Sequence, residues 1–483
     1  MFNPTAWGCE TPPWEGPLHP VCVIPLRSTQ YLEVFVQRVH RFSGMTGFTI
    51  VWLGQIVSVL ASMMTQFALT IWVFEKTGSV TALGLVQVFF ITPFLLLSPI
   101  AGVMVDRHNR KLMMAVSDLA SGVGTLAILA LQAMGMLQIW HLYAAAVFNG
   151  LGNTFQWPAY SAAISTMVPK EQYSRANGMM SLIDSGPGVF APLLAGALLP
   201  FIGLTGILTF DVVTFILAIA ALMIVVVPPP ARTEDGAKGA GSLWQESLFG
   251  FRYIFERPSL LGLQFIFLFG NLFAGISGTL LAPMILSRTG NDSVSLGFVQ
   301  SAGAIGGVVG GILFSVWGGF KRRVHGVLLG FTISSFFMAL LVGVGRSLPF
   351  WVVPMFIGMV SVPMVGASNQ TIWQSKVPPD VQGRVFSARR LIAWLTNPIT
   401  PILAGTLADY WLEPAMRVPG GFSSVFESWV GTGPGAGMAL LTVFCGLDGM
   451  LVGLSGYFIP AIRNAETSLP DHVELPESEP AVA

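Results

Sequence analysis

Long apolar stretches, each followed by a short polar segment, occupy the chain from residue 48 to residue 462. A helix that crosses a bilayer needs about 20 predominantly apolar residues, and twelve stretches satisfy this length. The predicted spans are residues 48–73, 79–104, 112–134, 139–166, 175–201, 204–228, 259–286, 295–318, 324–345, 349–374, 384–411 and 435–462. The pattern therefore predicts an all-α integral membrane protein.

The most hydrophilic interruption falls between the sixth and seventh spans. Its first part, residues 228–242 (PPPARTEDGAKGAGS), has the composition of a flexible linker. Its second part, residues 243–258, mixes Leu, Phe and Tyr with Arg and Glu, as an interfacial helix does. The predicted segments are an N-terminal extension (1–44), a six-helix bundle (45–228), a cytoplasmic linker with an interfacial helix (229–258), a second six-helix bundle (259–465) and an acidic tail (466–483). The extension lacks the apolar core of a signal peptide. We expect both the extension and the tail to be disordered.

Charge is scarce and unevenly placed. Only 10% of the residues are charged and 53% are hydrophobic, whereas a soluble domain carries about 25% charged residues. With the amino terminus in the cytoplasm, all but four of the 24 Lys and Arg residues fall on the cytoplasmic side; the exceptions are Lys76, Arg288, Arg346 and Arg417. Because cytoplasmic loops are enriched in Lys and Arg, we expect both termini inside, in a plasma membrane or bacterial inner membrane.

The two halves of the chain repeat each other. The segment VPKEQYSRANG begins at Val168, and VPPDVQGRVFS begins at Val377, 209 residues later. The same offset matches Pro192 to Pro401 and Gly196 to Gly405. The fifth span therefore corresponds to the eleventh. Two related six-helix bundles that face each other are typical of secondary transporters, with the substrate site between them.

A cluster of charges separates the second and third spans in the stretch GVMVDRHNRKLMM. Its spacing, Gly102 and Asp106-Arg107 followed by Arg110-Lys111, resembles motif A of the major facilitator superfamily. The resemblance implies a twelve-helix fold of two pseudo-symmetric bundles. It also implies transport by alternating access, in which the bundles rock about a central site.

In this family, motif A latches the two bundles while the cavity is open to the outside. The resemblance implies that Asp106 faces the amino terminus of the eleventh helix, whose dipole is positive there, or pairs with Arg384 at that end. The alternative is that the loop only orients the protein through its basic residues. The corresponding loop of the second half has Ser315 where the acid would stand, so we expect a latch on one side only.

The fifth span contains a second family pattern. Gly188, Pro192 and Gly196 resemble motif C, the Gly- and Pro-rich pattern of antiporters in this superfamily, with Ala191 and Ala195 in place of two of its glycines. Small residues allow close helix packing, and proline bends a helix. The resemblance favours export by exchange.

Shorter stretches narrow the resemblance further. WVFEKTGS, which begins at Trp72, and VPKEQYSRAN, which begins at Val168, are similar to a drug-efflux branch that includes macrolide exporters and the enterobactin exporter. The resemblance implies a secondary active transporter that exports an amphipathic small molecule, such as a drug, macrolide or siderophore, by proton antiport.

Polar residues within the spans are candidates for the wall of a substrate cavity, because each is costly inside a membrane. They recur at helical spacing, and in this superfamily the first, fourth, seventh and tenth helices line the cavity. The alternative is hydrogen bonding between helices, worth about 0.6 kcal/mol per contact. The cavity candidates are Gln55, Gln66, Asn153, Gln156, Trp157, Asn369, Trp373, Trp394 and Asn397.

Several acids also fall within spans. A proton-coupled carrier needs a group that gains and loses a proton during the cycle, and intramembrane acids commonly do this. Asp184 is the first candidate because it precedes the Gly/Pro pattern, and Asp118 is the second, although it could instead pair with the basic loop. Asp211 and Asp448 lie on helices that are usually peripheral, so structural roles are expected for them.

Several function classes find no support in the sequence. No GxxxxGK[ST] phosphate loop or HExxH metal motif occurs, and three distant cysteines make no disulfide framework. We therefore expect neither an enzyme nor a cofactor, a metal or a nucleic-acid partner. The expected partners are a small-molecule substrate, protons and lipid, for a monomeric protein. Two alternatives share the architecture: a proton-coupled symporter that imports a nutrient, and a non-transporting partner or receptor.

Overall fold

The computed structural model describes residues 44–107, 110–169, 172–226, 250–377 and 382–468, and these residues form helices and loops without a β-strand. The N-terminal half contains α1 (Gly44–Thr77), α2 (Val80–Arg107), α3 (Arg110–Ala133), α4 (Ile139–Met167) and α5 (Tyr173–Ile224). The C-terminal half contains α6 (Pro258–Thr289), α7 (Ser293–Trp317), α8 (Arg323–Ser334), α9 (Leu348–Lys376), α10 (Gln382–Trp394), α11 (Ile399–Leu407), α12 (Glu413–Arg417), α13 (Phe422–Val430) and α14 (Ala436–Phe458), followed by the short helices Pro460–Arg463 and Ala465–Ser468. A π-helical segment, Ser335–Leu341, extends α8 as far as Val344, and another, Ala408–Leu412, joins α11 to α12.

The 52-residue helix α5 comprises two predicted spans. Gly203 interrupts it with φ 63° and ψ −179°, a backbone conformation that glycine adopts without a steric penalty. Ten helical stretches of the described residues are long and apolar enough to cross a membrane, and one of them, Ser185–Ile224, contains this bend. The 29-residue α4 covers the fourth predicted span. The helices are therefore consistent with all twelve predicted spans.

The eleventh predicted span is not one continuous helix. Between α10 and α11 the chain forms a turn over residues 395–398, in which the Asn397 N–H donates to the Trp394 carbonyl at 3.0 Å. Pro398 ends this turn, and proline has no N–H to continue the helical ladder. The predicted span 384–411 therefore contains a turn, and Ala388–Arg417 is still long and apolar enough to cross a membrane.

Helices within each half pack closely through small residues. A Cβ atom added at Gly150 of α4 would lie 2.1 Å from the carbonyl oxygen of Phe90 in α2. A Cβ atom at Gly310 of α7 would lie 2.2 Å from the carbonyl oxygen of Val360 in α9. Glycines thus let backbones approach as membrane helices commonly do.

Large apolar side chains cover the outside of the helices. Phe201, Val316 and Phe458 are each more than four-fifths exposed. Such a surface is costly in water but is solvated by lipid tails. The apolar exterior agrees with a protein that crosses the membrane many times.

Part of the predicted interfacial helix is described. Residues 250–255 are helical, with Ile254 fully buried and Arg252 paired to Glu256 at 2.7 Å on the exposed side. The predicted N-terminal extension, most of the linker and most of the acidic tail lie outside the described residues.

Candidate functional site

A cavity of about 990 Å³ lies between the two halves of the molecule. Helices α1 to α5 form one wall, and α6, α7, the 395–398 turn and α11 contribute to the other. Pockets that hold drug-sized ligands measure about 300–1,000 Å³. The cavity is therefore large enough for a bulky small molecule.

Most of the polar residues predicted to line a cavity do so. Gln55 and Gln66 project from α1, and Asn153 and Gln156 project from α4. Asn397 reaches the same cavity from the turn between α10 and α11. Their helical spacing places each pair on one face of its helix. The side chain of Trp157 lies outside the described residues.

Asn369 and Trp373 of α9 do not line this cavity. Both are buried inside the C-terminal half, where Trp373 belongs to an apolar cluster that includes Val327 and Ala388. The guanidinium of Arg389 lies 5.3 Å from the centre of a Trp373 ring. The polar face of α9 is thus turned towards its own bundle, so the expectation of a cavity position is not met.

Trp394 also lies away from the cavity wall. Its ring centre is 5.5 Å from that of Phe94 in α2, on the other side of the boundary between the halves. The Arg390 guanidinium lies 4.3 Å from the centre of the Trp394 ring. Trp394 is therefore a contact between the bundles rather than part of the cavity lining.

Asp118 joins three helices at the cavity. Its Oδ2 accepts a hydrogen bond from Gln55 Nε2 at 2.8 Å, and its Oδ1 accepts one from Gln156 Nε2 at 2.5 Å. The two glutamines also contact each other at 3.3 Å. The residue is only 7% exposed, and its hydrogen-bond donors are neutral amides. Asp118 therefore links α3 to α1 and α4 at the cavity wall.

Lys111, at the start of α3, makes a different contact. Its Nζ donates to the carbonyl oxygens of Met223 at 2.8 Å and Val225 at 2.7 Å, at the carboxyl end of α5. A lysine is favourable there because the last carbonyls of a helix lack intrahelical donors. Lys111 thus binds the end of α5, and the alternative pairing of Asp118 with the basic loop stays a prediction.

Asp211, in the second half of α5, is a further acid at the cavity. Its Oδ1 accepts a hydrogen bond from Ser62 Oγ at 2.9 Å, and Thr125 Oγ1 lies 3.5 Å from its Oδ2. The residue is 2% exposed and lines the cavity. The expectation that this part of the chain is peripheral is wrong, because the bend at Gly203 returns the second half of α5 to α1 and α3. The sequence contained one signal for this contact. Ser62 follows Gln55 by seven residues in α1, and Thr125 follows Asp118 by seven residues in α3, so a second pair of polar groups lies two helical turns beyond the first.

The structure describes the helical backbone, but not the side chains, of the other motif A residues and of the first proton-coupling candidate: Gly102, Asp106, Arg107, Arg110, Asp184 and Arg384. The latch and the role of Asp184 stay predictions.

One end of the cavity is closed by a carboxylate that crosses between the halves. Asp409 accepts hydrogen bonds from Ser79 Oγ at 2.6 Å and from the backbone N–H groups of Val80 at 3.0 Å and Thr81 at 2.8 Å. These are the first donors of α2, which have no intrahelical acceptor. Asp409 therefore caps a helix of the opposite half, a role that the sequence did not reveal.

The Gly/Pro pattern of α5 closes the same end on its other side. Ser293 Oγ of α7 donates to the Gly196 carbonyl at 3.0 Å, and Ser301 Oγ donates to the Val189 carbonyl at 2.8 Å. A Cβ atom at Gly297 would lie 2.5 Å from the carbonyl oxygen of Pro192. The helices therefore pack backbone to backbone here, while Gly188 and Pro192 also line the cavity.

Comparisons with known proteins agree with this architecture. The sequence model of the Major Facilitator Superfamily matches residues 51–401. Macrolide efflux protein A of Streptococcus pyogenes is 28% identical over 372 residues, which cover 75% of this chain and 89% of that protein. The multidrug efflux pump Tap of Mycolicibacterium fortuitum is 24% identical over 70% of this chain and 83% of its own length. The enterobactin exporter EntS of Shigella boydii is 22% identical over 70% and 79%.

Solved structures show the same fold. A bacterial homologue of the human lysosomal transporter Spinster superimposes with a TM-score of 0.63 at 17% identity, covering 87% of this chain and 98% of that one. A bacterial homologue of the iron transporter ferroportin gives a TM-score of 0.62 at 15% identity, covering 85% and 98%. The predicted fold and the resemblance to the drug and siderophore efflux branch are confirmed. This multi-pass membrane protein is a transporter and not an enzyme, and it belongs to the Major Facilitator Superfamily.

Proposed function

We propose that this transporter exports an amphipathic small molecule, such as a drug, a macrolide or a siderophore, in exchange for protons. The observation that carries the proposal is the buried Asp118 carboxylate, which lies at the wall of a drug-sized cavity and is held by neutral donors. The described residues include no Lys, Arg or His within ion-pair distance of it. A carboxylate in this setting is a favourable place for a proton to bind and leave.

Protonation of Asp118 would change contacts between helices. The charged carboxylate accepts from both Gln55 and Gln156, whereas a protonated carboxyl carries a donor on one oxygen. One of the two amide contacts must then rearrange. Because these contacts join α1, α3 and α4, the proton acts on the packing of the whole cavity wall.

The arrangement of contacts between the halves supports alternating access. Hydrogen bonds from α2 to Asp409 and from α7 to α5 close one end of the cavity. With both termini in the cytoplasm, as the Lys and Arg distribution favours, this closed end faces outwards. The conformation then corresponds to the half of the cycle in which the outer gate is shut.

Motif A supplies the second part of the cycle. The proposed contact of Asp106 with the start of α10 or with Arg384 lies at the opposite, cytoplasmic end. It would form as the Asp409 contacts break, so that each end is held shut in turn. Asp184 is a second candidate for the proton-binding group, because its position precedes Gly188 and Pro192 in α5.

The relatives support the outward direction. Three of them are named as a macrolide efflux protein, a multidrug efflux pump and an enterobactin exporter. The Gly/Pro pattern of α5 adds to this support. A nutrient symporter would share the architecture, and the direction of flux separates the two.

The test is proton-driven transport in inverted membrane vesicles. The probes are a radiolabelled macrolide, a cationic dye and a catecholate siderophore, with Asp118→Asn compared to wild type. We expect the variant to lose the acceleration that a pH gradient gives, while exchange of labelled for unlabelled probe persists. Asp448→Asn is the matched control, because Asp448 is an acid of α14 that does not line the cavity. Unchanged gradient-driven uptake by Asp118→Asn would refute the assignment, and flux only in the importing direction would refute export.

A further inference from the structure

A second cavity, of about 270 Å³, lies within the C-terminal half, and we call it the side chamber. Its walls come from α6, α9 and α14, from the end of α8 and from the π-helical segment that follows it. Phe267, Phe273 and Phe331 contribute aromatic rings, and no charged side chain occurs among the described lining residues. An engineered cavity of about 150 Å³ holds benzene. The side chamber therefore admits an apolar group larger than one aromatic ring.

The side chamber adjoins the central cavity along α6. Gly278 and Leu281 line both spaces. A Cβ atom added at Gly278 would meet nothing within 4 Å, so no packed side chain fills the boundary at this point. Gly366 of α9 lines the side chamber alone, and a Cβ atom there would also meet nothing within 4 Å. A molecule in the central cavity can therefore extend a group past Gly278 into the side chamber.

The walls of the side chamber are adaptable and almost entirely apolar. The π-helical segment Ser335–Leu341 forms part of them, and such segments occur frequently at functional sites. Met338 and Met355 also line it, and methionine adjusts readily to irregular shapes. Ser277, beside Gly278, is buried, and its hydroxyl has no oxygen or nitrogen partner in the part of the chain that the structure describes. One hydrogen-bond donor is therefore unused near the boundary between the two spaces.

We propose that the side chamber binds an apolar arm of the transported molecule, either an alkyl chain or an aryl group, while the rest of the molecule lies in the central cavity. This inference rests on the proposed export function and specifies how the substrate is recognised. The arm leaves water and fills a space whose lining atoms otherwise lack contacts on one side. The Ser277 hydroxyl donates to an ether or ester oxygen at the base of the arm.

The position of the side chamber has a consequence for the transport cycle. Its described lining belongs entirely to the C-terminal half, whereas the wall of the central cavity comes from both halves. When the halves change their relative position, the side chamber moves with the C-terminal half. The apolar arm therefore stays bound to that half while the opening changes sides.

The test uses 7-alkoxycoumarins, which are neutral and fluorescent, with chains from methoxy to hexyloxy. Binding to the purified full-length protein in lipid nanodiscs is measured without a pH gradient, corrected with protein-free nanodiscs and expressed against the aqueous probe concentration. Burial of a methylene should raise the affinity about fourfold, up to the length that fills the side chamber.

Two glycine variants separate the side chamber from the central cavity. Gly366→Leu fills the side chamber from α9, so it should abolish the dependence on chain length while the methoxy probe binds as it does to wild type. Gly311→Leu is the matched control, because a Cβ atom there also meets nothing within 4 Å and Gly311 lines neither space. It should keep the full dependence on chain length.

Cys445 provides a second measurement, because it lies on α14 in the wall of the side chamber. In a Cys9→Ser, Cys22→Ser background, the hexyloxy probe should slow its alkylation by N-ethylmaleimide and the methoxy probe should not. Equal protection by the two probes would contradict the proposal. So would a dependence on chain length that is the same in Gly366→Leu and Gly311→Leu, or loss of the methoxy probe from Gly366→Leu alone.

Failure of this proposal is distinguishable from failure of the proposed function. Proton-driven export of the labelled macrolide, without a dependence of coumarin affinity on chain length, would overturn the side chamber alone. Binding that depends on chain length and on Gly366, without proton-driven flux, would overturn antiport and leave the side chamber as a binding site.

Discussion

The carboxylate of Asp409 accepts a hydrogen bond from the backbone N–H of Thr81 at 2.8 Å, although the two residues belong to opposite halves of the molecule. Ser79, the residue before α2, contributes a second cap by accepting from the Ala82 N–H at 3.2 Å. The start of α2 is thus capped once from its own half and once from the other. Only the cap from Asp409 can be lost when the halves separate, so it is a contact that depends on conformation.

Replacing Asp409 should shift the protein towards an open outer end. Loss of a helix cap costs about 0.5–2 kcal/mol, and here that cost falls on the closed conformation alone. For Asp409→Ala we expect a larger population with a long distance between spin labels at Lys76 and Val418, measured by double electron–electron resonance. Both labelled positions are exposed.

Asp292→Ala is the matched control for this measurement. Asp292 caps α7 within its own half, where it accepts from the Val294 N–H at 2.9 Å. Its loss should lower stability without changing the distance between the halves. A distance distribution for Asp409→Ala identical to that of the Asp292 variant would contradict the role of Asp409 as a gate.

Gly84 should be needed for the same closure. A Cβ atom there would lie 2.7 Å from the carbonyl oxygen of Pro401, in the opposite half. Gly84→Ala must therefore push α2 away from α11 when the outer end closes. We expect faster backbone hydrogen exchange at the start of α2 and in α11, measured by mass spectrometry. Gly311→Ala is the control, because a Cβ atom at Gly311 meets nothing within 4 Å, and equal exchange in the two variants would argue against the steric explanation.

The glutamines around Asp118 should stabilise the fold through that carboxylate. Gln55→Ala leaves Asp118 Oδ2 without its 2.8 Å donor, and an unsatisfied buried polar group costs about 1–3 kcal/mol, or more when charged. We expect a lower unfolding temperature in detergent, followed by tryptophan fluorescence. In the Asp118→Asn background the same change should cost less, giving a coupling energy of about 0.5–3 kcal/mol.

Gln66→Ala controls for the loss of an amide at the cavity. Gln66 lines the cavity and is exposed, so its removal should alter the unfolding temperature little. Strictly additive effects of Gln55→Ala and Asp118→Asn would show that the carboxylate and the amide do not support each other.

The sequence by itself determined the class and the plan of this protein. Apolar stretches long enough to cross a bilayer fixed the helices, since hydrocarbon leaves a spanning chain no other way to pair its backbone groups. The 209-residue repeat related the two halves. Helical spacing also placed Gln55 and Gln156 on shared faces, because that relation is local to each helix.

Tertiary structure alone decided which polar faces meet the cavity. A membrane helix is apolar on nearly every side, so its sequence does not tell which face turns towards its own bundle. Asn369 and Trp373 therefore resembled cavity residues but pack inside the C-terminal half. Asp211 reached the cavity through the bend at Gly203. Asp409 meets α2 across more than 300 residues, a pairing that arises only when the two halves dock, because no local pattern encodes the capping of one helix by another.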